Sequence, residues 1–230
     1  MTRQGLWEPA IARKIYEYVK EHPKATFLDI GANIGFHGMY AAALGAPVIA
    51  VEPIPTNWPL IHKSVRLNNF ESQYLLLPYA LSDTRGTVTM QRHSWNYGAN
   101  KTFGRHCEIC EHKGGQLTSR GALQVIIKLD AEQHECYVLR GGMDTFLKTF
   151  TIPYILMEYG YTDGVDKTCL EEMHTSMAKL GFCALTLQHK PIRIGEDKPW
   201  DMVWAKDLCE QYKQTPSQPA DNPEINNRKH

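Results

Sequence analysis

The 230-residue chain has no long hydrophobic run and no excess of charge of either sign. Its longest apolar stretches, such as residues 40–44 and 74–77, fall far short of the ~18 residues that a membrane-spanning helix needs. Lysine and arginine together number 25, as do aspartate and glutamate, so the formal net charge is zero and no general electrostatic attraction to nucleic acid is expected. The sequence therefore predicts neither a membrane nor a nucleic acid as partner.

Cysteine is also scarce, with six residues in the chain, which is too few for the disulfide framework of a small secreted protein. The first nine residues contain no apolar core of signal-peptide length, so secretion is not expected unless an upstream segment has been removed. We interpret the cysteines as reduced thiols and predict a cytoplasmic protein. The cysteines occupy positions 107, 110, 136, 169, 183 and 209.

One pair, Cys107 and Cys110, has the spacing of half a zinc site, and three histidines lie nearby in the sequence. A structural zinc site usually takes four ligands from two separated pairs, and the sequence has no second cysteine pair with this spacing. We therefore predict no metal here and interpret the segment as a plain loop. The nearby histidines are His93, His106 and His112.

The spacing of apolar residues switches repeatedly between short buried runs and helical periodicity, which is typical of an α/β fold. Pro9 opens the first helix, which we expect to end near His22. Further helices are predicted at 34–44, 58–67, 137–147 and 169–180. Strands are predicted at 25–30, 48–51, 74–77, 87–91, 125–129, 154–157, 182–187 and 201–205.

With 43% hydrophobic residues, the chain can bury the core of one domain, which we place at residues 1–206. Within it, residues 92–121 show no periodicity, and we predict a loop or insertion that selects the substrate. After Lys206 the chain becomes rich in proline and poor in large aliphatic residues. Residues 207–230 are therefore predicted to form a disordered tail.

The most informative segment runs from Phe27 to Gly35, where a strand is followed at once by a glycine turn and a helix. Gly31 and Gly35 allow a tight turn with close approach of backbone to a nucleotide-like ligand at the carboxyl edge of a parallel sheet. Asn33 replaces the middle glycine of the dinucleotide fingerprint and no third glycine follows at the right spacing, which argues against a nicotinamide dehydrogenase.

A carboxylate follows the second predicted strand, since Glu52 comes directly after the run Val48 to Val51. At that edge of the sheet a glutamate can accept hydrogen bonds from both hydroxyls of an adenosine ribose. We expect Asp29 to lie beneath the glycine turn, where it either fixes backbone N–H groups or binds an amino group of the ligand. Both residues are candidate binding residues.

Seven short motifs follow one another along the chain in a fixed order. In that order they resemble the FkbM-type family of S-adenosylmethionine-dependent methyltransferases, over about residues 5–206 without the 92–121 loop. The motifs are Asp29-Ile-Gly-Ala-Asn-Ile-Gly35, Val51-Glu-Pro53, Leu67-Asn-Asn69, Ala80-Leu-Ser-Asp83, Lys128-Leu-Asp-Ala-Glu132 with Glu135, Val138-Leu-Arg-Gly141 and Ile155-Leu-Met-Glu158.

The resemblance implies a Rossmann-like, doubly wound sheet of seven strands, mostly parallel, with an antiparallel hairpin at the C-terminal end. It also implies transfer of a methyl group from S-adenosyl-L-methionine, usually to a hydroxyl oxygen, here on a small molecule or a glycan. The cofactor-binding residues that follow are Asp29, Gly31, Ala32, Asn33, Gly35, Glu52, Pro53, Ala80, Leu81 and Asp130.

Three carboxyl groups, those of Asp130, Glu132 and Glu158, fall at the carboxyl ends of predicted central strands. Crowding of like charges there would raise the pKa of at least one of them toward that of a useful base. His134 is a further candidate base, because imidazole titrates near neutral pH. The same carboxylates could instead bind a divalent cation, an alternative that spacing alone leaves open.

The chain departs from the family pattern at Gln133, where Asp-x-Glu-Gly-x-Glu usually has glycine. A protein of this fold that binds the cofactor without catalysis is therefore an alternative function. A nicotinamide-dependent oxidoreductase is the other alternative, disfavoured by the missing third glycine.

Overall fold

The computed structural model describes residues 7–86, 123–143, 145–159, 167–193, 199–206 and 208–209. No helix within these ranges is both long and apolar enough to cross a membrane. The predicted strand at 87–91, the loop at 92–121 with Cys107 and Cys110, and the proline-rich end of the tail lie outside the described residues.

Helices and strands alternate along the chain, as the apolar periodicity predicts. The helices are α1 (Pro9–Glu21), α2 (Phe36–Ala43), α3 (Trp58–Leu67), α4 (Glu135–Gly142), α5 (Phe146–Thr149) and α6 (Lys167–Lys179). The strands are β1 (Thr26–Ile30), β2 (Val48–Val51), β3 (Tyr74–Leu77), β4 (Val125–Leu129), β5 (Tyr154–Glu158), β6 (Cys183–Thr186) and β7 (Asp201–Ala205).

The described strands form one seven-stranded sheet in the order β3-β2-β1-β4-β5-β7-β6. The first five strands in this order pair in parallel, whereas β7 is antiparallel to both β5 and β6. Apolar side chains from α1, α2 and α3 cover one face of the sheet, and those from α4, α5 and α6 cover the other. The predicted doubly wound fold with an antiparallel hairpin at its C-terminal end is therefore confirmed.

Two helices replace the single helix predicted over 137–147. The first starts earlier, at Glu135, and ends at Gly142, and the second is a short turn of helix from Phe146 to Thr149. Adjacent glycines at 141 and 142 weaken the helix there, because glycine loses more conformational freedom in a helix than other residues do.

Four of the six cysteines form disulfide bonds, so the interpretation of all of them as reduced thiols is wrong. Cys136 in α4 bonds to Cys169 in α6, and Cys183 in β6 bonds to Cys209. The partners lie 33 and 26 residues apart in sequence, and only the folded chain brings their Cα atoms to 6.0 and 5.6 Å. The second bond attaches Cys209, inside the predicted tail 207–230, to the sheet.

The parallel strands β1, β2, β4 and β5 all end at the same edge of the sheet. Asp29 and Glu158 lie in the last two residues of β1 and β5, and Glu52 and Asp130 directly follow β2 and β4. The sheet therefore brings these four carboxyl groups to one side of the molecule, although they span 130 residues of chain. This edge carries the candidate functional site.

Candidate functional site

The turn after β1 is fixed by Asp29, whose side chain is completely buried. Its Oδ2 accepts a hydrogen bond of 2.9 Å from the backbone N–H of Gly38 in the first turn of α2. Of the two roles predicted for Asp29, this contact favours the positioning of the turn and helix over direct binding of a ligand.

Gly31 lies where two segments of backbone nearly touch. It has φ +76°, and a Cβ atom there would lie 1.7 Å from the carbonyl oxygen of Asp130. Any side chain would therefore push β1 and β4 apart at the site itself. Gly35 also has a positive φ of +86°, as the predicted tight turn requires, and Asn33 between the two glycines adopts φ 52°.

Glu52 ties the β1 turn to the β2 turn. Its carboxylate accepts hydrogen bonds from the backbone N–H groups of Asn33 at 2.7 Å and Ile54 at 2.8 Å, and from Asn57 Nδ2 at 3.3 Å. Burial raises the pKa of Glu52 to about 7, although these donors act in the opposite direction. The carboxylate is thus preorganised by backbone, and of its roughly four acceptor sites one, on Oε2, is left for a ligand.

A cavity opens beside these turns, with about 540 Å³ of space including its open mouth. Tyr79 and Ile54 also line it, and sequence reasoning did not select them because neither belongs to a polar motif. Of the predicted site residues, the cavity is lined by Gly31, Asn33, Glu52, Pro53, Ala80, Leu81, Asp130 and Glu132.

The segment that carries Ala80 and Leu81 is held in place by α4. A Cβ atom on Gly141 would lie 2.4 Å from the carbonyl oxygen of Ser82, so α4 can approach this segment so closely only because residue 141 is glycine. Arg140 forms an ion pair with Asp83, with Nε donating to Oδ2 at 2.6 Å. One wall of the cavity is therefore positioned by the helix that follows β4.

Three carboxyl groups crowd together at the ends of β4 and β5. Oxygen atoms of Asp130, Glu135 and Glu158 lie within 4.8 Å of one another. Burial, followed by the charge of Asp130 and a hydrogen bond with it, raises the pKa of Glu158 to about 9. At neutral pH Glu158 therefore holds a proton that it donates to Asp130.

Glu132 differs from its neighbours because it is half-buried and lines the cavity. Burial, helped by the nearby charge of Asp130, raises the pKa of Glu132 to about 7. A carboxyl with this pKa can accept a proton near neutral pH and release it again.

Glu135, a residue of the carboxylate motif that was not among the predicted site residues, is buried behind Glu132. It accepts a hydrogen bond of 2.7 Å from the backbone N–H of Ala131, and burial raises its pKa to about 7. It thus holds the loop between β4 and α4 in place.

That loop has an unusual backbone, since Glu132 has φ 52° and Gln133 has φ 73°. Both values lie in the left-handed region that glycine adopts most easily. The position where the family pattern has glycine therefore keeps a glycine-like conformation in this chain.

His134 lies apart from the cavity lining. Its Nε2 is 3.0 Å from Ser82 Oγ, its ring stacks on Tyr137 with centroids 4.7 Å apart, and burial lowers its pKa. Among the other predicted residues, Ala32 and Gly35 belong to the β1 turn, and Glu158 lies behind Asp130.

Lys128 is a charged residue that sequence reasoning passed over. It lies within β4, its Nζ donates to Asp130 Oδ2 at 3.0 Å and to the Gly31 carbonyl at 3.2 Å, and it is 6% exposed. The surrounding apolar run Val125–Leu129 gave a signal for a buried strand but none for this side chain's role.

No protein-family model matches the chain, and no curated protein does. Among solved structures, an rRNA methylase from Streptococcus thermophilus is similar at 13% identity, with a TM-score of 0.49 over 88% of this chain and 99% of the other. A precorrin-6y C5,15-methyltransferase from Geobacter metallireducens is similar at 11% identity, with a TM-score of 0.46 over 90% and 94%. The METTL16 methyltransferase domain gives 11% identity and a TM-score of 0.49 over 85% and 66%. At these identities the likeness concerns the fold alone.

Proposed function

We propose that the protein is an S-adenosylmethionine-dependent O-methyltransferase of the FkbM type that acts on a hydroxyl of a small molecule or a glycan. The observation that carries this proposal is the cavity in which the Gly31 turn and the Glu52 carboxylate meet Glu132. One end of the cavity thus suits an adenosine moiety, and the other end presents a carboxyl of near-neutral pKa.

The residues present fit the cofactor. Gly31 lets the turn after β1 approach the Asp130 backbone closely and lines the cavity, and the Glu52 carboxylate is aimed by two backbone N–H groups. Ala80 and Leu81 would border the adenine, since they line the same cavity and are held by α4. When bound, S-adenosylmethionine supplies a methyl group on a positively charged sulfur.

In methyl transfer, the acceptor oxygen forms a bond to the methyl carbon as the carbon–sulfur bond breaks, and the hydroxyl proton must leave. Glu132 would accept that proton, because it lines the cavity and its pKa lies near neutral. Asp130 is held by Lys128, and Glu158 already carries a proton, so these two residues would orient the loop rather than act as the first proton acceptor.

The carboxyl cluster also supports the choice of acceptor. Asp130 and Glu132 line the cavity, and the ionised carboxylate of Asp130 repels the phosphates of a nucleic-acid strand. A neutral hydroxyl on a small molecule or glycan meets no such repulsion.

Of the alternatives, a non-catalytic cofactor-binding protein was suggested by the loss of glycine at Gln133. Because Gln133 keeps a left-handed φ of 73°, the substitution leaves the backbone of the loop in the conformation a glycine would favour. This observation favours the enzyme.

Calorimetric titration with S-adenosylhomocysteine tests the proposal, with NAD as the competing ligand. We expect S-adenosylhomocysteine to bind, NAD not to bind, and Glu52→Ala to weaken binding roughly tenfold or more. Glu132→Gln should leave that affinity nearly unchanged while lowering turnover with a labelled methyl group about 10²-fold once an acceptor is found. Binding of NAD in preference to S-adenosylhomocysteine would overturn the proposal.

The disulfide bonds bear on the compartment as well. Disulfides persist in oxidising compartments, so the two bonds favour such a compartment over the predicted cytoplasm. Alkylation of free thiols in protein isolated without reductant, followed by mass spectrometry, should leave Cys136, Cys169, Cys183 and Cys209 unmodified.

A further inference from the structure

The side chain of Lys128 is buried in a strand whose other members are all apolar. Val125, Ile126, Ile127 and Leu129 are buried on both faces of the sheet, and Lys128 is as inaccessible as they are. A lysine is rarely buried without anionic or carbonyl partners, because removing its charge from water is costly. The partners of Lys128 therefore indicate its role.

Lys128 connects three segments of the site. Its Nζ donates to the carbonyl oxygen of Gly31 at 3.2 Å and to Asp130 Oδ2 at 3.0 Å. It also lies 3.8 Å from Asp29 Oδ1, a buried oxygen that accepts no hydrogen bond in the described structure. The ammonium group of Lys128 thus contacts both the Gly31 turn, which follows β1, and the Asp130 carboxylate, which follows β4.

The environment of this group is strongly acidic. Asp29 faces it from β1, Glu132 from the loop before α4 and Asp201 from β7, while Glu8 precedes α1 and pairs with His37 of α2 at 2.8 Å. Glu135, the first residue of α4, and Glu158 of β5 lie next to Asp130, with carboxyl oxygens within 4.8 Å of one another. Burial disfavours the charge on both Asp130 and Lys128, yet their mutual attraction lowers the pKa of Asp130 and raises that of Lys128.

We propose that Lys128 is a positioning residue that fixes the Asp130 carboxylate beside the Gly31 turn and thereby leaves Glu158 as the carboxyl that carries the proton. Lys128 acts on Glu158 only through Asp130, which accepts hydrogen bonds from both. The inference rests on the proposed function in one respect. If Asp130 is held by Lys128 and Glu158 carries a proton, then Glu132 is the carboxyl left to accept a proton from the substrate.

The test is a pH titration of side-chain carboxyl groups by ¹³C NMR, on protein labelled at aspartate and glutamate and without cofactor. The Asp130→Asn variant assigns the Asp130 resonance. In Lys128→Met the titration midpoint of Asp130 should rise by at least about one pH unit, and Lys128→Arg, which keeps the charge, should restore most of the low midpoint. An unchanged Asp130 midpoint in Lys128→Met would overturn the proposal.

A second pair of variants keeps the proposal testable if Lys128→Met does not fold. Asp130→Asn alone should lower the Glu158 midpoint by more than about one pH unit, because it removes the neighbouring charge. In Lys128→Met/Asp130→Asn, which removes both partners, the Glu158 midpoint should match that of Asp130→Asn. A further shift of similar size in the double variant would mean that Lys128 acts on Glu158 directly, and the proposal would be wrong.

Failure of this inference is distinguishable from failure of the proposed function. The NMR titrations are carried out without any ligand, whereas the proposed function is tested by S-adenosylhomocysteine binding to the unmodified protein. If the protein binds S-adenosylhomocysteine but the titration midpoint of Asp130 does not change on loss of Lys128, the proposed function stands and the inference about Lys128 is wrong.

Discussion

The two halves of the site use carboxylates in different ways. In the half formed by β1 and β2, Asp29 and Glu52 accept hydrogen bonds from backbone N–H groups. In the half formed by β4 and β5, Asp130 and Glu158 are held by a lysine and by each other. Backbone donors keep their protons at every working pH, so the first half keeps its hydrogen-bond donors fixed, although Glu52 itself titrates near pH 7. In the second half both partners of each contact are ionisable side chains, so the contacts themselves depend on pH.

This difference matches the demands of the proposed reaction. A cofactor site benefits from donors and acceptors that do not move, because preorganisation lowers the entropy lost on binding. Proton removal needs groups whose pKa lies near the working pH, which crowded and buried carboxyls supply. The following predictions separate the two halves.

The largest effect is expected for Gly31→Ala, which breaks the contact between the halves. The new Cβ would lie 1.7 Å from the Asp130 carbonyl, so the variant should either fail to fold or lose at least ~100-fold in S-adenosylhomocysteine affinity. Gly45→Ala is the matched control, because Gly45 has φ +95° with no atom within 4 Å of the added Cβ. Circular dichroism reports whether each variant folds, and calorimetry measures its affinity for S-adenosylhomocysteine. Equal results for the two variants would contradict the close contact between Gly31 and the Asp130 carbonyl.

The second prediction concerns the pH dependence of binding. In the proposed cofactor site a ribose diol would donate to ionised Glu52, and the pKa of Glu52 in the ligand-free protein is raised to about 7, so affinity for S-adenosylhomocysteine should fall as pH is lowered through 7. Between pH 8 and pH 6 we expect a loss of roughly tenfold. Glu52→Gln should bind weakly and without this slope, whereas an exposed control, Glu71→Gln, should keep it. A slope retained in Glu52→Gln would assign the titration to another group.

The third prediction tests the carboxyl cluster of Asp130, Glu135 and Glu158 through the pH dependence of the protein's stability. Because the pKa of Glu158 is raised to about 9 in the folded protein, the folded state binds more protons than the unfolded state between about pH 4.5 and 9. This group therefore lowers stability as pH rises through that range. Glu158→Gln should raise the melting temperature by about 3–6 °C at pH 8 and have little effect at pH 5. Glu171→Gln, on the exposed side of α6, should change neither value.

The smallest effect is expected at the loop that joins β4 to α4. Gln133→Gly should relieve the cost of a left-handed conformation and raise the melting temperature by about 1–2 °C, while Gln133→Ala should not. Differential scanning calorimetry of the two variants decides this, and stabilisation by alanine would show that the conformation is not the cause.

The fold followed closely from local patterns in the sequence. The bounds of β2, β3, β4 and β7 agree with the predicted runs 48–51, 74–77, 125–129 and 201–205. Of these strands, β2, β4 and β7 are largely buried, so a continuous apolar run both starts and ends with the strand. The split between α4 and α5 was missed because apolar periodicity persists across the two glycines at 141 and 142.

The candidate site followed only in part. Asp29, Gly31 and Glu52 were recognised because strand ends and glycines mark them in the sequence. Lys128 and Asn57 were missed because their partners lie far away in sequence or in another turn, and no local pattern reports such contacts. His134 was selected for its chemistry, and its pairing with Ser82 depends on a contact 52 residues away.

The pairing of the disulfide bonds has a consequence for folding during synthesis of the chain. Among the described cysteines, the first bonds to the second and the third to the fourth, so the two loops neither cross nor enclose one another. Because the chain emerges from its N-terminal end, Cys136 and Cys169 are both exposed before Cys183 and Cys209 are. For these four residues, the order of synthesis already favours the native pairing.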